Sequence, residues 1–286
     1  MKKTRYYQVA DHVFVVDAEE RLFELMYNYE PFSCEAVNQV AFSLSIGEGE
    51  SLDYVEEIRQ DDEGQEIVCG HTSEGNPVFA FSLLQLAAGW LVCRADYFEA
   101  QLFTTGYEQK FAVDNALMVL FALATARQNT ALFHASTVMK DGISYLFLGQ
   151  SGTGKSTHSA LWLRYIDGTE LVNDDNPVVR ITPEGKAIVY GSPWSGKTPC
   201  YRNVSYPIGG MVQLSQAPYN SIRRLGGVEA YVFLMLSISG KRWDKGIADG
   251  LHQTENWLAT HVPTWFLECL PNEEAAKLCR LTIEHG

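Results

Sequence analysis

The chain has no long hydrophobic run, no basic cluster and no paired cysteines, and each absence removes a class of function. Its most apolar stretch, Ala116 to Ala126, falls well short of the roughly 20 residues a membrane crossing needs. The opening MKKTRYYQVADHVFVV is basic, but Asp11 and His12 interrupt it before a signal-peptide core can form, so neither export nor a membrane partner is expected. Lys and Arg number 22 against 35 Asp and Glu, a net charge of −13 without any Lys/Arg-rich run, which argues against nucleic acid. A nucleotide would need a local positive site. The six cysteines (Cys34, Cys69, Cys93, Cys200, Cys269 and Cys279) lie scattered without a CxxC pair, which argues against a disulfide scaffold or a zinc knuckle and fits reduced thiols in a cytoplasmic protein.

What is present suits a folded globular chain: 286 residues, 46% hydrophobic and 20% charged. Residues 4 to about 108 read as strands joined by polar turns, with YYQVADHVFVVD, VAFSLSI, EIVCGH, PVFAFSLL, GWLVCRA and FEAQLFT rich in β-formers. The acidic segment Glu48 to Glu66 reads as a loop or hairpin tip. No catalytic pattern rises from this half. We therefore expect a β-rich N-terminal domain over 1–111, of unassigned role, and a second domain over 112–286. A buried helix from about Val113 to Gln128, with Asp114 near its positive end, leads into the second domain.

There ALFHASTVMK and ISYLFLGQ flank Asp141-Gly142, the favoured two-residue hairpin turn. In that register Lys140 pairs with Ile143, and His134 falls opposite Gly149.

Two segments match the phosphate-loop pattern of Gly, four residues, Gly, Lys, then Ser or Thr: Gly149 to Ser156 and Gly191 to Thr198. Such a loop works by wrapping consecutive backbone N–H groups around phosphates. It must therefore run from a strand into a helix whose N-terminus faces the anion. The first candidate follows SYLFL and precedes STHSALWLRYI, which has no Pro or Gly to interrupt it. The second holds Pro193 and is followed at once by Pro199, which biases Thr198 away from helical dihedrals. The nucleotide is assigned to Gly149, Ser151, Gly152, Thr153, Gly154, Lys155, Ser156 and Thr157. Lys155 would contact the outer phosphates and Ser156 would help to hold Mg²⁺. One helix later comes LVNDDNPVVR, an apolar entry ending in Asp174 and Asp175. A Mg-nucleotide site needs a carboxylate at a neighbouring strand end, and transfer to a hydroxyl needs a group to take its proton. Since neighbouring side chains of a strand face opposite ways, both can serve one site only at the strand's end.

In this order, LFHAST, DGISYLFLGQSGTGKSTHSALWLRY and LVNDDNPVV resemble the HPr kinase/phosphorylase group and its relatives with a phosphoenolpyruvate-carboxykinase-like nucleotide domain. The resemblance is close over about 130–195 and loose beyond. It implies an α/β fold of α+β character, a mixed and partly antiparallel P-loop sheet flanked by helices. It implies ATP and Mg²⁺ as cofactors, Lys155 on phosphates, and Ser156 and Asp175 on the metal. Asp174 would be the base facing the acceptor hydroxyl and His134 an active-site partner; the two aspartates could exchange roles. The Glu-(Ile/Val)-Arg-Gly signature of HPr kinases is missing after the Asp-Asp strand, which speaks against HPr as the acceptor. The better likeness is to small serine-kinase-like relatives.

The rest of the second half adds three helices to the expectation: VEAYVFLMLSI as a buried one, ADGLHQTENWLATHV as an amphipathic one, and PNEEAAKLCRLTIEH with Asn272 as its cap. Arg223-Arg224 and Lys241-Arg242 are candidate anion contacts or solvated pairs. The expectation is an ATP/Mg-dependent kinase acting on a hydroxyl, that of serine in a small molecule or peptide, and compatible with a homo-oligomer. The alternative is a regulatory module that binds a nucleotide without an acceptor. YGSPWSGKTP, just after the carboxylate strand, supplies Ser192, Trp194 and Lys197 as acceptor-side candidates, since a Pro-Trp loop occurs near this place in the resembling proteins.

Overall fold

The computed structural model describes residues 2–196 and 198–285, and these divide into two compact units, Met1–Thr125 and Ala126–Gly286. Each is built on a large mixed sheet with helices against it.

The first unit runs β1 (Lys2–Val9), β2 (His12–Glu19), α1 (Glu20–Leu25), β3 (Ser33–Cys34), β4 (Phe42–Glu48), β5 (Val55–Asp62), β6 (Gln65–His71), β7 (Pro77–Leu83), β8 (Leu86–Cys93), β9 (Glu99–Thr104) and α2 (Gln109–Thr125). Its sheet order is β3-β1-β2-β4-β9-β8-β7-β6-β5. Helix α2 packs on β4, β7, β8 and β9. Phe121 of that helix meets Phe14 and Phe42 edge-on, at 6.4 Å from each, while those two rings stack on each other at 4.9 Å. This packing counts the helix with the first unit, so the division falls after Thr125 and not at 111/112. The acidic segment expected to be a loop or hairpin tip contains strand β5, whose partner is β6 and whose turn is at Glu63 and Gly64. Exposed along its whole length and studded with charge, it is an edge strand protected against pairing with another chain.

The second unit runs β10 (Thr130–Leu132), β11 (Ala135–Lys140), β12 (Ile143–Leu148), α3 (Lys155–Tyr165), β13 (Thr169–Asp175), β14 (Val178–Ile181), β15 (Ala187–Tyr190), β16 (Ser205–Gln216), β17 (Ser221–Arg224), α4 (Gly227–Ser237), α5 (Lys245–His261), β18 (Thr264–Cys269) and α6 (Glu273–His285). The sheet order is β10-β14-β15-β16-β12-β11-β13, and β18 pairs with β16 and β17. Asp141 and Gly142 make the expected tight turn with both φ angles positive, at 52° and 79°, and Lys140 pairs with Ile143. Strands β12, β16 and β18 run parallel to one another, and β13 runs with them because β11 is antiparallel to both β12 and β13. Their C-terminal ends therefore share one edge, the side on which open α/β sheets bind ligands.

Helices α3 and α6 cover one core of this sheet: Trp162 and Ile166 meet Phe147, Val212, Trp265 and Leu267 from the strands and Cys279 and Ile283 from α6. Asn272 caps α6 through Ala275 N–H at 3.0 Å. Helix α4 departs from the expectation of full burial. Ala230, Leu234 and Ser237 are covered, but Val228, Val232 and Leu236, at successive i+4 positions, are exposed at 82%, 41% and 66%. A helix that is apolar all round has no preferred face in sequence, and here one face packs while the other does not. No helix among the described residues is long and apolar enough to cross a membrane.

Candidate active site

The loop after β12 has the backbone a phosphate cradle requires. Gly149, Gly152 and Gly154 have φ of 151°, 77° and 104°, which L side chains rarely adopt. A Cβ at Gly152 or Gly154 would meet nothing within 4 Å, so these positions need glycine for conformation and not for packing. Thr153 tightens the loop, its N–H and hydroxyl both donating to the Gln150 carbonyl at 3.2 and 2.7 Å. Gln216 at the end of β16 donates to the Gly152 carbonyl at 3.0 Å. Helix α3 starts at Lys155 with Gly154 as its cap residue and no side-chain cap, which leaves its first N–H groups directed to the loop.

Lys155 reaches back over the loop. Its ammonium donates to the carbonyls of Gly149 and Gln150 at 2.9 and 3.2 Å, and to His134 Nε2 at 2.8 Å. Burial pulls this ammonium below its usual range, opposed by the charges of Asp175 and then Asp174. An ammonium only donates, so Nε2 accepts and the imidazole proton sits on Nδ1, 3.1 Å from Asp175 Oδ1. His134 lies just before β11, opposite Gly149 in the continued hairpin register, and its N–H is held by the Ser237 carbonyl at 2.7 Å.

The two carboxylates diverge, as adjacent residues of a strand must. Asp174 is buried; its Oδ1 accepts from the Ser136 hydroxyl at 2.7 Å, and Ser136 in turn lies 2.6 Å from Ser159 of α3. Asp175, half-buried, faces His134 and also accepts from Asn176 Nδ2 at 2.8 Å. Both sit at the strand's end because Asn173 turns the chain. Its side-chain oxygen accepts from the N–H groups of Asp175 and Asn176 at 3.0 and 2.8 Å.

The same Asn173 holds the second pattern match against the site. Its amide nitrogen donates to Ser192 Oγ at 3.1 Å and to the Trp194 carbonyl at 3.2 Å. Gly196 N–H donates to the Asp174 carbonyl at 3.1 Å, and Ser195 bridges to Asp175. A phosphate cradle runs into a helix, whereas strand β15 leads into this loop and among the described residues no helix follows it before β16. Its glycines serve close approach instead: a Cβ at Gly191 would lie 2.0 Å from the Arg202 carbonyl oxygen, and one at Gly196 would lie 2.8 Å from that of Asp174. Ser192 and Trp194 are buried, so their side chains brace the loop, while its backbone adjoins the carboxylates. Lys197 lies outside the described residues.

The fold thus brings His134, Lys155, Asp174, Asp175 and the glycines of the first loop to one edge. Sequence reasoning passed over Ser136, Ser159, Asn173 and Gln216. Asn173 alone had a signal there, as an Asn ahead of Asp-Asp-Asn-Pro in a turn-forming position. Of the basic pairs, Arg223 makes a fork with Glu229, at 3.0 and 2.9 Å, and Arg242 is paired with Glu255 at 2.5 Å.

No protein-family model matches the chain, and no curated protein matches it. Among solved structures, the HPr(Ser) kinase/phosphatase from Coxiella burnetii is similar over 54% of this chain and 93% of that one, with 15% identity and a TM-score of 0.31.

Proposed function

We propose that the second unit is a Mg-nucleotide-dependent phosphotransferase that uses ATP and acts on a hydroxyl, the acceptor being serine in a small molecule or peptide. The observation that carries this reading is the chain Lys155, His134, Asp175: the phosphate-loop cation and a strand-end carboxylate lie on the two nitrogens of one imidazole. A binding loop needs the first; transfer to a hydroxyl needs the second beside it.

The divergence of the aspartates supports exchanging the roles expected from the resemblance. Asp175, beside His134 and the Ser195–Gly196 backbone, orients the acceptor hydroxyl and takes its proton. Asp174 is directed through Ser136 to Ser159, one turn along α3 from Ser156. Carboxylate and hydroxyl oxygens are the hard donors Mg²⁺ prefers, so Asp174 and Ser156 are the residues that would hold it. Bound there, the ion supplies neutralisation of phosphate charge. In the transfer the acceptor oxygen forms a bond to the γ-phosphorus as the bond to the β,γ-bridging oxygen breaks. The electron pair leaves with the nucleoside diphosphate and the hydroxyl proton passes to Asp175. Lys155 and the loop N–H groups offset the charge on the moving phosphoryl group.

The test is thermal shift with Mg-ATP, then phosphate transfer to free serine and to a pool of Ser-peptides. Asp175→Asn should keep the nucleotide shift and lose transfer by about 100-fold or more, the usual scale for a positioned base. Full transfer by Asp175→Asn would remove it as the base. Hydrolysis without transfer to any acceptor would favour the regulatory module, and absence of any shift with ATP would end the nucleotide reading.

A further inference from the structure

The strand order gives the bound nucleotide a direction. Its outer phosphates belong at Lys155, which faces His134 and Asp175 on the β11 and β13 side of the loop. With the outer phosphates there, the opposite side of the loop, over the C-terminal ends of β16 and β18, is open to the nucleoside. Among the described residues two cavities open there. One, of 460 Å³, lies between Gly149–Thr153, Gln213–Gln216 and the end of α4, at Phe233, Leu236 and Ser237. The other, of 90 Å³, lies between α3 and Cys269–Pro271. Ligand pockets run from about 300 to 1,000 Å³, so of these two the first has room for a base and a sugar.

Its lining suits that occupant. Among the described residues that line it, none is charged. A zwitterionic amino acid would find no countercharge, whereas a neutral heteroaromatic ring would find an apolar wall from Phe233 and Leu236 and the side-chain amides of Gln213 and Gln216. There is no carboxylate among them to accept the paired N1–H and N2–H donors of guanine. The wall is also held in place. Phe233 stacks on Phe266 at 5.8 Å, Arg242 donates to the Met235 carbonyl at 2.9 Å, and the Ser237 carbonyl accepts from His134 N–H.

We propose that the end of α4 and the end of β16 form the nucleoside subsite, with Phe233 and Leu236 as the platform for the base, and that this subsite selects adenine over guanine nucleotides. This rests on the phosphate-loop reading above. It does not depend on which hydroxyl is phosphorylated.

The experiment compares binding of Mg-ATP, Mg-GTP and Mg-tripolyphosphate by calorimetry. The wild-type protein should bind ATP about 10-fold or more tightly than either of the others, the scale of one buried apolar contact. Leu236→Ala, a change at an exposed side chain that leaves folding alone, should remove most of the advantage of ATP over tripolyphosphate while tripolyphosphate affinity stays within about two-fold. Equal affinity for ATP and tripolyphosphate in the wild-type protein, equal affinity for ATP and GTP, or unchanged ATP binding in Leu236→Ala would each overturn the subsite. If tripolyphosphate binds and ATP gains nothing, the subsite alone fails; if neither binds, the phosphate loop fails with it.

Discussion

Lys155 Nζ donates to His134 Nε2 at 2.8 Å, so the cation of the glycine loop is held by the residue just before the strand beside it. The imidazole thereby takes the tautomer that directs Nδ1–H to Asp175, and one side chain positions two others. His134→Phe should lower kcat by roughly 10- to 100-fold with a smaller change in Mg-nucleotide affinity, the range expected for an orienting partner. His134→Asn, which keeps a donor and an acceptor, should recover part of the loss. Equal turnover by wild-type and Phe variants would remove the positioning role.

Two glycines from the two pattern matches should fail differently. At Gly154 there is open space and a φ of 104°, so Gly154→Ala costs about 1 to 2 kcal/mol of backbone strain in the cradle itself. Nucleotide affinity should fall more than the melting temperature does. At Gly191 a Cβ meets the Arg202 carbonyl oxygen, so Gly191→Ala should act on folding, by about 1 to 3 kcal/mol in denaturant titrations.

His158 gives the second unit a pH dependence. It is buried against Phe147, accepts from Trp162 Nε1–H at 3.1 Å, and burial pulls its pKa down to about 4 from an ordinary 6.5. The folded form then binds fewer protons than the unfolded chain at acid pH. Its contribution is present in full above about pH 6.5 and is lost as pH falls from there towards 4, a span worth about 3 kcal/mol. Urea melts between pH 7 and pH 4 should show this slope, and His158→Gln, which keeps an acceptor for Trp162, should flatten it. An unchanged slope would mean that other groups set the acid sensitivity.

Arg242 and Glu255 form a part-buried ion pair that should be costly to break. The Glu255 side chain is fully buried, and Arg242 also donates to carbonyls at the end of α4. Arg242→Met leaves that buried carboxylate without its cation and should destabilise the unit by about 3 to 5 kcal/mol. Arg242→Met with Glu255→Leu should regain most of it. A neutral single variant would show that Glu255 finds another partner.

Much of the candidate site's arrangement was legible in order along the chain. Asp141-Gly142 between apolar runs predicts the hairpin, the hairpin predicts His134 opposite Gly149, and the prolines around Thr198 exclude the second phosphate loop. These are local rules: a two-residue turn sets register, and a proline acts on its immediate neighbours. The side of each aspartate was not legible in the same way, because alternation says that they diverge but not which face carries Ser136 and Ser159. Nor was the exposed stripe on α4 legible, since Val228, Val232 and Leu236 look no different in sequence from the buried Leu234.

Residues near in sequence therefore determined the pieces: the glycine loop into α3, the Asp pair ending an apolar strand, the Asn272 cap and the turn at Asp141. Tertiary structure alone decided how the pieces meet. It placed Asn173 where one side chain both turns the chain at Asp175 and pins the Ser192 loop, and brought the end of α4 to the wall beside Gly149. The physical reason is range: turn and cap preferences act over a few residues, whereas the partner of a buried polar group or an apolar face is whatever the sheet order brings next to it.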